Sequence, residues 1–256
     1  MKFRVVVVLI AALLPCRSAM AWGTLGHRLV ARIASADLPP VVDAGIRELL
    51  GKETLVTVST LPDEWRVARP ETGIWHFVDI PLTARAYDQT RDCHKGDCLV
   101  EAFERFEKIL ADRSKPLADR REALIFIVHL IADAHQPLHT TSNHDRGAND
   151  VKIRYKNMPM SLHKYWDADV LETGEDEARH AERLIAATRR RNASQLQKGN
   201  IESWVNETHS LATNVYRVPG SVFIDSSYES WSRVVADEQL VRAGLRLRSI
   251  LIRYLS

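Results

Sequence analysis

Apolar residues recur at helical spacing along most of the chain. Residues 25–38 and 41–50 each carry an amphipathic pattern, separated by Pro39-Pro40. That arrangement predicts two helices with a break between them. Between 99 and 112, Leu99, Phe103, Phe106 and Leu110 form a single stripe, which predicts a third. Residues 119–134 differ, because 123–128 are continuously apolar and Leu130 and Ile131 follow. A helix that is apolar on all sides belongs in a core, and Gln136-Pro137 ends it. Further helices are predicted over 161–171, 177–191, 196–215 and 238–255. In the last, Leu240, Ala243, Leu247, Ile250, Leu251 and Tyr254 share a face. Only 73–80 and 151–155 read as extended. The expected fold is mainly α. The chain has 256 residues and no linker-like tract or internal repeat, so 22–256 reads as one domain.

The first 21 residues follow another pattern. Lys2 and Arg4 precede the apolar run 5–14, which is too short to span a bilayer comfortably. Ala19-Met20-Ala21 then places small residues where a signal peptidase requires them. Residues 1–21 therefore read as a signal peptide cleaved before Trp22, and the mature protein as secreted or periplasmic. The competing readings are an uncleaved anchor and a lipoprotein using Cys16. Pro15 stands where the lipoprotein reading wants a small residue.

Cleavage changes the charge. Loss of Lys2, Arg4 and Arg17 takes the formal net charge from +2 to −1. A broad basic surface that binds nucleic acid by counterion release is thereby excluded, and any attraction for phosphate must be local. Cleavage also leaves two cysteines, Cys93 and Cys98. In an oxidising compartment they read as a small disulfide loop. The alternative, a thiolate metal site, lacks a second thiol pair.

The apolar segment 119–134 contains two residues foreign to a core, His129 and Asp133. Their i, i+4 spacing places them on one helix face, and a buried carboxylate is costly unless a cation or donor satisfies it. His163 and Asp167 repeat the spacing. With 10 His and 33 acidic residues in the chain, chance alone gives about one such pair, so spacing is weak evidence and a plain core His–Asp hydrogen bond competes with it. The density of candidates is stronger evidence. His27, Asp63, His76 and His139 complete a set of imidazoles and carboxylates, the donor set of catalytic rather than structural zinc. His135 falls off the His129–Asp133 face and reads as a supporting or surface residue. His94, His144, His180 and His209 read as solvated.

In this order, the motifs resemble those of the S1/P1 nuclease family. They are Trp22-Gly23-Thr24-Leu25-Gly26-His27, Asp63-Glu64-Trp65-Arg66, Trp75-His76-Phe77-Val78-Asp79, 129–139, Arg146-Gly147-Ala148-Asn149-Asp150 and Leu162-His163-Lys164-Tyr165-Trp166-Asp167. The resemblance covers 22 to about 167; beyond that only helical character matches. It implies the helical fold shared with bacterial zinc phospholipases C, and three zinc ions per chain. One would be held by Asp63, His76 and His129. A second would be held by the α-amino and carbonyl groups of Trp22, by His27, and by Asp133, which bridges it to the first. The third would be held by His139, His163 and Asp167.

The implied activity is hydrolysis of single-stranded DNA and RNA to 5′-phosphate products, with removal of 3′-phosphates from 3′-nucleotides. A zinc-held hydroxide would be the nucleophile, since zinc lowers the pKa of its water to about 7. Asp63 and Asp133 would act as ligands of the catalytic metals, and Arg66 would neutralise charge on the phosphoryl oxygens. Phe77 and Asp79 resemble the family's base-binding pair, and Asn149 a substrate contact. Ala148 stands where the family commonly has glycine. No stable protein partner and no membrane association after cleavage are implied, and the protein reads as a monomer. Two readings compete: a zinc phospholipase C, whose members carry glutamate at the position of Asp167 and do not match Phe77, and a non-catalytic exported protein that binds zinc or nucleic acid.

Overall fold

The structure is a computed structural model that describes residues 22–189, 193–218 and 222–256. Residues 1–21, read from the sequence as a signal peptide and including Cys16, lie outside the described residues. The fold is mainly α, as the periodicity predicts. The helices are α1 (Thr24–Ser35), α2 (Pro40–Leu50), α3 (Leu55–Val58), α4 (Leu61–Ala68), α5 (Gln89–Asp92), α6 (Leu99–Ala111), α7 (Leu117–Asp133), α8 (Leu162–Asp167), α9 (Glu177–Thr188), α10 (Ala193–Leu196), α11 (Ile201–His209), α12 (Ala212–Val215) and α13 (Ser226–Leu255). An antiparallel hairpin, β1 (Lys152–Tyr155) with β2 (Met158–Ser161), precedes α8.

α7 is the central element, and its residues 123–133 are all buried. It packs on α6 on one side and on α1, α2 and α13 on others, which is why it has no polar face. Phe126 of α7 stacks on Phe106 of α6 at 4.4 Å and meets Trp75 and Trp65 edge-on. Burying such a ring stabilises by roughly 1.5–3 kcal/mol. This cluster also seats α4, which carries Asp63, and the 3₁₀ turn Pro70–His76, which carries His76.

α13 forms the second wall. Tyr165 and Trp166 of α8 are fully buried against it: the Tyr165 hydroxyl pairs with Ser232 Oγ at 2.7 Å, and Trp166 Nε1 donates to the Tyr228 hydroxyl at 3.0 Å. His163 and Asp167, which flank them on α8, meet His139 and Gln136 in the turn after α7.

Three sequence expectations change. Residues 73–80 are extended only from 77: 70–76 is a 3₁₀ turn, stabilised by Trp75 packing on Phe126. The span 196–215 holds the end of α10 and two short helices, α11 and α12, and Asn200 forms a capping box with Ser203 that starts α11 afresh. α13 begins at Ser226, not 238, with Asp225 as its cap. Among the described residues no helix is long and apolar enough to cross a membrane.

Candidate metal centre and cleft

The ligand candidates come from five segments. α1 supplies His27, α4 supplies Asp63 and the 70–76 turn supplies His76. α7 and the turn after it supply His129, Asp133 and His139, and α8 supplies His163 and Asp167. All are buried. They form three groups whose donor atoms lie within 4.8 Å of one another: His27 with His129 and Asp133, Asp63 with His76 and His129, and His139 with His163 and Asp167. The two i, i+4 pairs therefore do converge from separate helices. Trp22 lies alongside, because Gly23 N–H donates to the Asp167 carbonyl at 2.6 Å. Its side chain is fully buried over Gly26, where a Cβ would lie 2.7 Å from Trp22 Cβ. Only glycine leaves room there.

Backbone carbonyls orient the imidazoles. His129 Nδ1 donates to the Ser59 carbonyl at 2.7 Å, His139 Nδ1 to that of His76 at 2.8 Å, and His163 Nδ1 to that of Gly147 at 2.6 Å. A carbonyl only accepts, so each ring carries a proton on Nδ1 and turns Nε2 inward. Such outer partners are the usual device for fixing metal-binding histidines. His76 is turned the other way, its Nδ1 3.1 Å from Asp133 Oδ2.

The electrostatics leave a charge to be filled. Burial, then the neighbouring His129, holds His27 well below its ordinary pKa; burial does the same to His76 and His139 and takes His163 down to about 3. These rings are neutral at physiological pH and available as ligands. His129 differs: burial opposes its charged form, but Asp133 and Asp63 outweigh it and raise its pKa. Burial raises Asp167 well above the carboxylate range, although Gln136 Nε2 donates to its Oδ1 at 2.6 Å. Both oxygens of Asp63, Asp133 Oδ1, both nitrogens of His27, His76 Nε2 and His139 Nε2 are buried without a hydrogen bond. Orphaned buried polar atoms are rare and call for an explanation. Seven of the twelve such atoms among the described residues belong to the three groups, the others being Trp22 Nε1, Arg105 Nη2, His180 Nδ1, Arg233 Nε and Arg248 Nε, and a set of cations would satisfy those seven together.

His76, His139 and His163, members of two of the three groups, line a cleft of about 300 Å³. Arg66, 15% exposed, reaches within 3.2 Å of Asp63 Oδ1 and faces this space. Residues 76–82 run beside 139–142: Val78 N–H donates to the His139 carbonyl and Ser142 N–H to that of Ile80. In this extended stretch His76, Val78 and Ile80 are buried, while Phe77 is half-buried and Asp79 exposed. Phe77 and Asp79 line the cleft with Asn149. Partial burial, then Asp145, raises the Asp79 carboxyl above its ordinary pKa. Asn149 Nδ2 donates one hydrogen to the Arg146 carbonyl at 2.8 Å, which leaves its second N–H and its oxygen for a ligand. Ala148 adopts φ 65° itself and is buried, so the turn keeps a glycine-like shape without the glycine.

Cys93 and Cys98 form a disulfide, with Cα atoms 5.3 Å apart. The residue after it, Leu99, donates its N–H to the Phe77 carbonyl at 3.0 Å, so the bridge braces the strand that carries Phe77.

Other histidines depart from expectation. His94 and His144 are exposed, but His180 and His209 are buried rather than solvated. His180 pairs with Asp237, and the His209 nitrogens face the carbonyls of Thr140 and Ala84. His135 is also fully buried. It donates from Nδ1 to the Ile131 carbonyl and accepts from Arg246 at 2.8 Å, bracing the turn that carries Asp133 and His139. Sequence reasoning missed Gln136, Gly147 and Arg246. Gln136 lies inside the 129–139 motif, a usable signal; the carbonyl of Gly147 leaves none.

A helical core that gathers three His/Asp groups beneath one cleft defines a candidate polynuclear metalloprotein. The S1/P1 nuclease family model matches residues 22–256, and the chain belongs to that family. It is 31% identical to Endonuclease 3 of Arabidopsis thaliana over 169 residues, 60% of this chain and 56% of that protein. It is 31% identical to Nuclease S1 of Aspergillus oryzae over 159 residues, 59% of this chain and 55% of that protein. The chain thus spans little more than half the length of these relatives. With Endonuclease 1 of Arabidopsis thaliana the identity is 27% over 286 residues, 99% of this chain and 93% of that protein.

Proposed function

We propose that this chain is an exported, zinc-dependent nuclease that hydrolyses phosphodiester bonds of single-stranded DNA and RNA, leaving 5′-phosphates, and also removes 3′-phosphates from nucleotides. One observation carries the reading: three buried His/Asp groups hold orphaned ligand atoms, and His76, His139 and His163 of two of these groups line a cleft together with Arg66 and Phe77. Names of relatives such as Nuclease S1 and Endonuclease 1 support it.

Asp63, His76 and His129 would hold one zinc. Trp22, through its α-amino and carbonyl groups, would hold another with His27 and the bridging Asp133, and His139, His163 and Asp167 the third. When bound, zinc supplies Lewis-acid chemistry, activating water near neutral pH and stabilising charge on phosphoryl oxygens. The chain's own residues do the rest. The neutral imidazoles bind without first losing a proton. Arg66 neutralises charge that develops on the phosphoryl group. Phe77 stacks a base, which is tolerant of sequence but requires that the base be unstacked from its neighbours; hence the preference for single strands. Asp79 accepts or donates a hydrogen bond at the base edge, and Asn149 presents its side-chain oxygen to the substrate. The Trp22 amino group is free only after cleavage behind Ala21, so removal of residues 1–21 activates the enzyme.

The test is incubation of the mature protein with single-stranded DNA, RNA, a 3′-nucleotide and phosphatidylcholine, with and without chelator. Chelator-sensitive cleavage of the first three is expected. Chelator-insensitive turnover would overturn the proposal, and so would lipid cleavage with nucleic acid left intact, the outcome of the phospholipase reading.

A further inference from the structure

The turn between the third ligand group and the hairpin has a conformation that needs support. His144, Arg146, Gly147 and Ala148 have φ of 59°, 56°, 60° and 65°. Three of these four are L-residues held in the left-handed region, which a Cβ disfavours. Gly147 has no alternative, since a Cβ there would lie 2.5 Å from the Leu138 carbonyl oxygen. Strained stretches of this kind persist only where the surroundings over-determine them.

The support comes from Asp145, the remaining residue of the stretch 144–148. Its Oδ1 accepts from Ala148 N–H at 2.8 Å and, more weakly, from Asn143 N–H at 3.4 Å. It also accepts from the Tyr216 hydroxyl at 2.9 Å. Tyr216 follows α12 in the carboxyl-terminal third, beyond the motifs 22–167 that carry the resemblance. Its contact reaches Asp145 across 71 positions of sequence.

The turn acts on the site in two ways. The Gly147 carbonyl accepts from His163 Nδ1 at 2.6 Å and the Ala148 carbonyl from His163 N–H at 3.4 Å, so both the ring and the backbone of that ligand are referenced to it. On its other face Arg146 and Asn149 form one wall of the cleft. We propose that Asp145 and Tyr216 are positioning residues, a carboxylate and phenol that hold the left-handed turn so that His163 is aimed at its metal and the cleft wall is fixed for substrate. The consequence for substrate rests on the nuclease reading; the consequence for the turn and for His163 does not. Burial, followed by Asp145, pushes the Tyr216 phenol well above its ordinary range, so it remains a donor at any working pH.

The experiment compares the full chain with Asp145→Ala, Asp145→Asn and Tyr216→Phe. Three quantities are read: hydrogen exchange of the peptide containing Ala148, the rate at which added chelator strips zinc, and KM against kcat on a single-stranded oligonucleotide. Asp145→Ala is expected to speed exchange about ten-fold, the scale of a lost hydrogen bond to a charged group. It is also expected to speed loss of part of the zinc about ten-fold or more and to raise KM. Asp145→Asn keeps an acceptor oxygen and should restore most of this, while Tyr216→Phe falls between. Wild-type exchange and zinc loss in Asp145→Ala would overturn the proposal. If Asp145→Ala does not fold, Tyr216→Phe decides: unchanged exchange and zinc loss overturn the proposal, and faster values sustain it. A wild-type protein that never cleaves nucleic acid sinks the nuclease reading instead, and exchange and zinc loss still judge the positioning role.

Discussion

The two walls of the cleft are built differently. On the side of the proposed metal sites, His129, Asp133, His139, His163 and Asp167 are buried on α7, α8 and the turn after α7, and three of the imidazoles are locked by backbone carbonyls. On the substrate side, Phe77 and Asn149 are half-buried and Asp79 and Arg146 exposed, carried on extended chain and a left-handed turn. The first wall is fixed at many points, and His129, His139 and His163 cannot turn without breaking a bond to a backbone carbonyl. The substrate side is braced at a few points, the Phe77 carbonyl and Asp145 among them. Changes on the first wall should abolish the site, and changes on the second should retune it.

The largest effect is expected from His129→Ala. The ligand is fully buried and serves two of the three groups, so zinc content should fall and activity should drop more than about 100-fold, above the range for residues that merely orient a ligand. A variant with full zinc and full activity, by metal analysis and assay, would break the comparison. Arg66→Ala should come next, lowering kcat by about 100-fold with zinc retained, as for loss of one charge-stabilising donor. Loss of zinc in parallel would place Arg66 among the supports of Asp63, 3.2 Å away. Phe77→Ala should have the smallest effect of the three, a rise in KM of about ten-fold from lost stacking with metal content unchanged. Equal loss of metal and binding would make Phe77 structural.

The same contrast explains what could be read from sequence. α7 was legible because it is packed on all sides and so apolar on all sides, and His129 and Asp133 stood out against that background. The i, i+4 pair His163–Asp167 was equally visible. The start of α13 was not, because its first turns bury hydroxyls, Tyr228 and Ser232, whose partners Trp166 and Tyr165 lie more than 60 positions away. His180 and His209 looked solvated for the same reason: their partners are Asp237 and the carbonyls of Thr140 and Ala84. The role of Asp145 depends on Tyr216, which no local pattern connects to it. Local periodicity reveals what is buried; it does not reveal which distant group satisfies a buried polar atom.

The central claim is that the three buried groups are metal sites. Metal analysis of the purified mature protein, after dialysis against trace zinc, tests it most directly. The prediction is three zinc ions per chain, one for each group, with loss of all three and of activity on chelation. A fully folded and active protein that retains no zinc would contradict it.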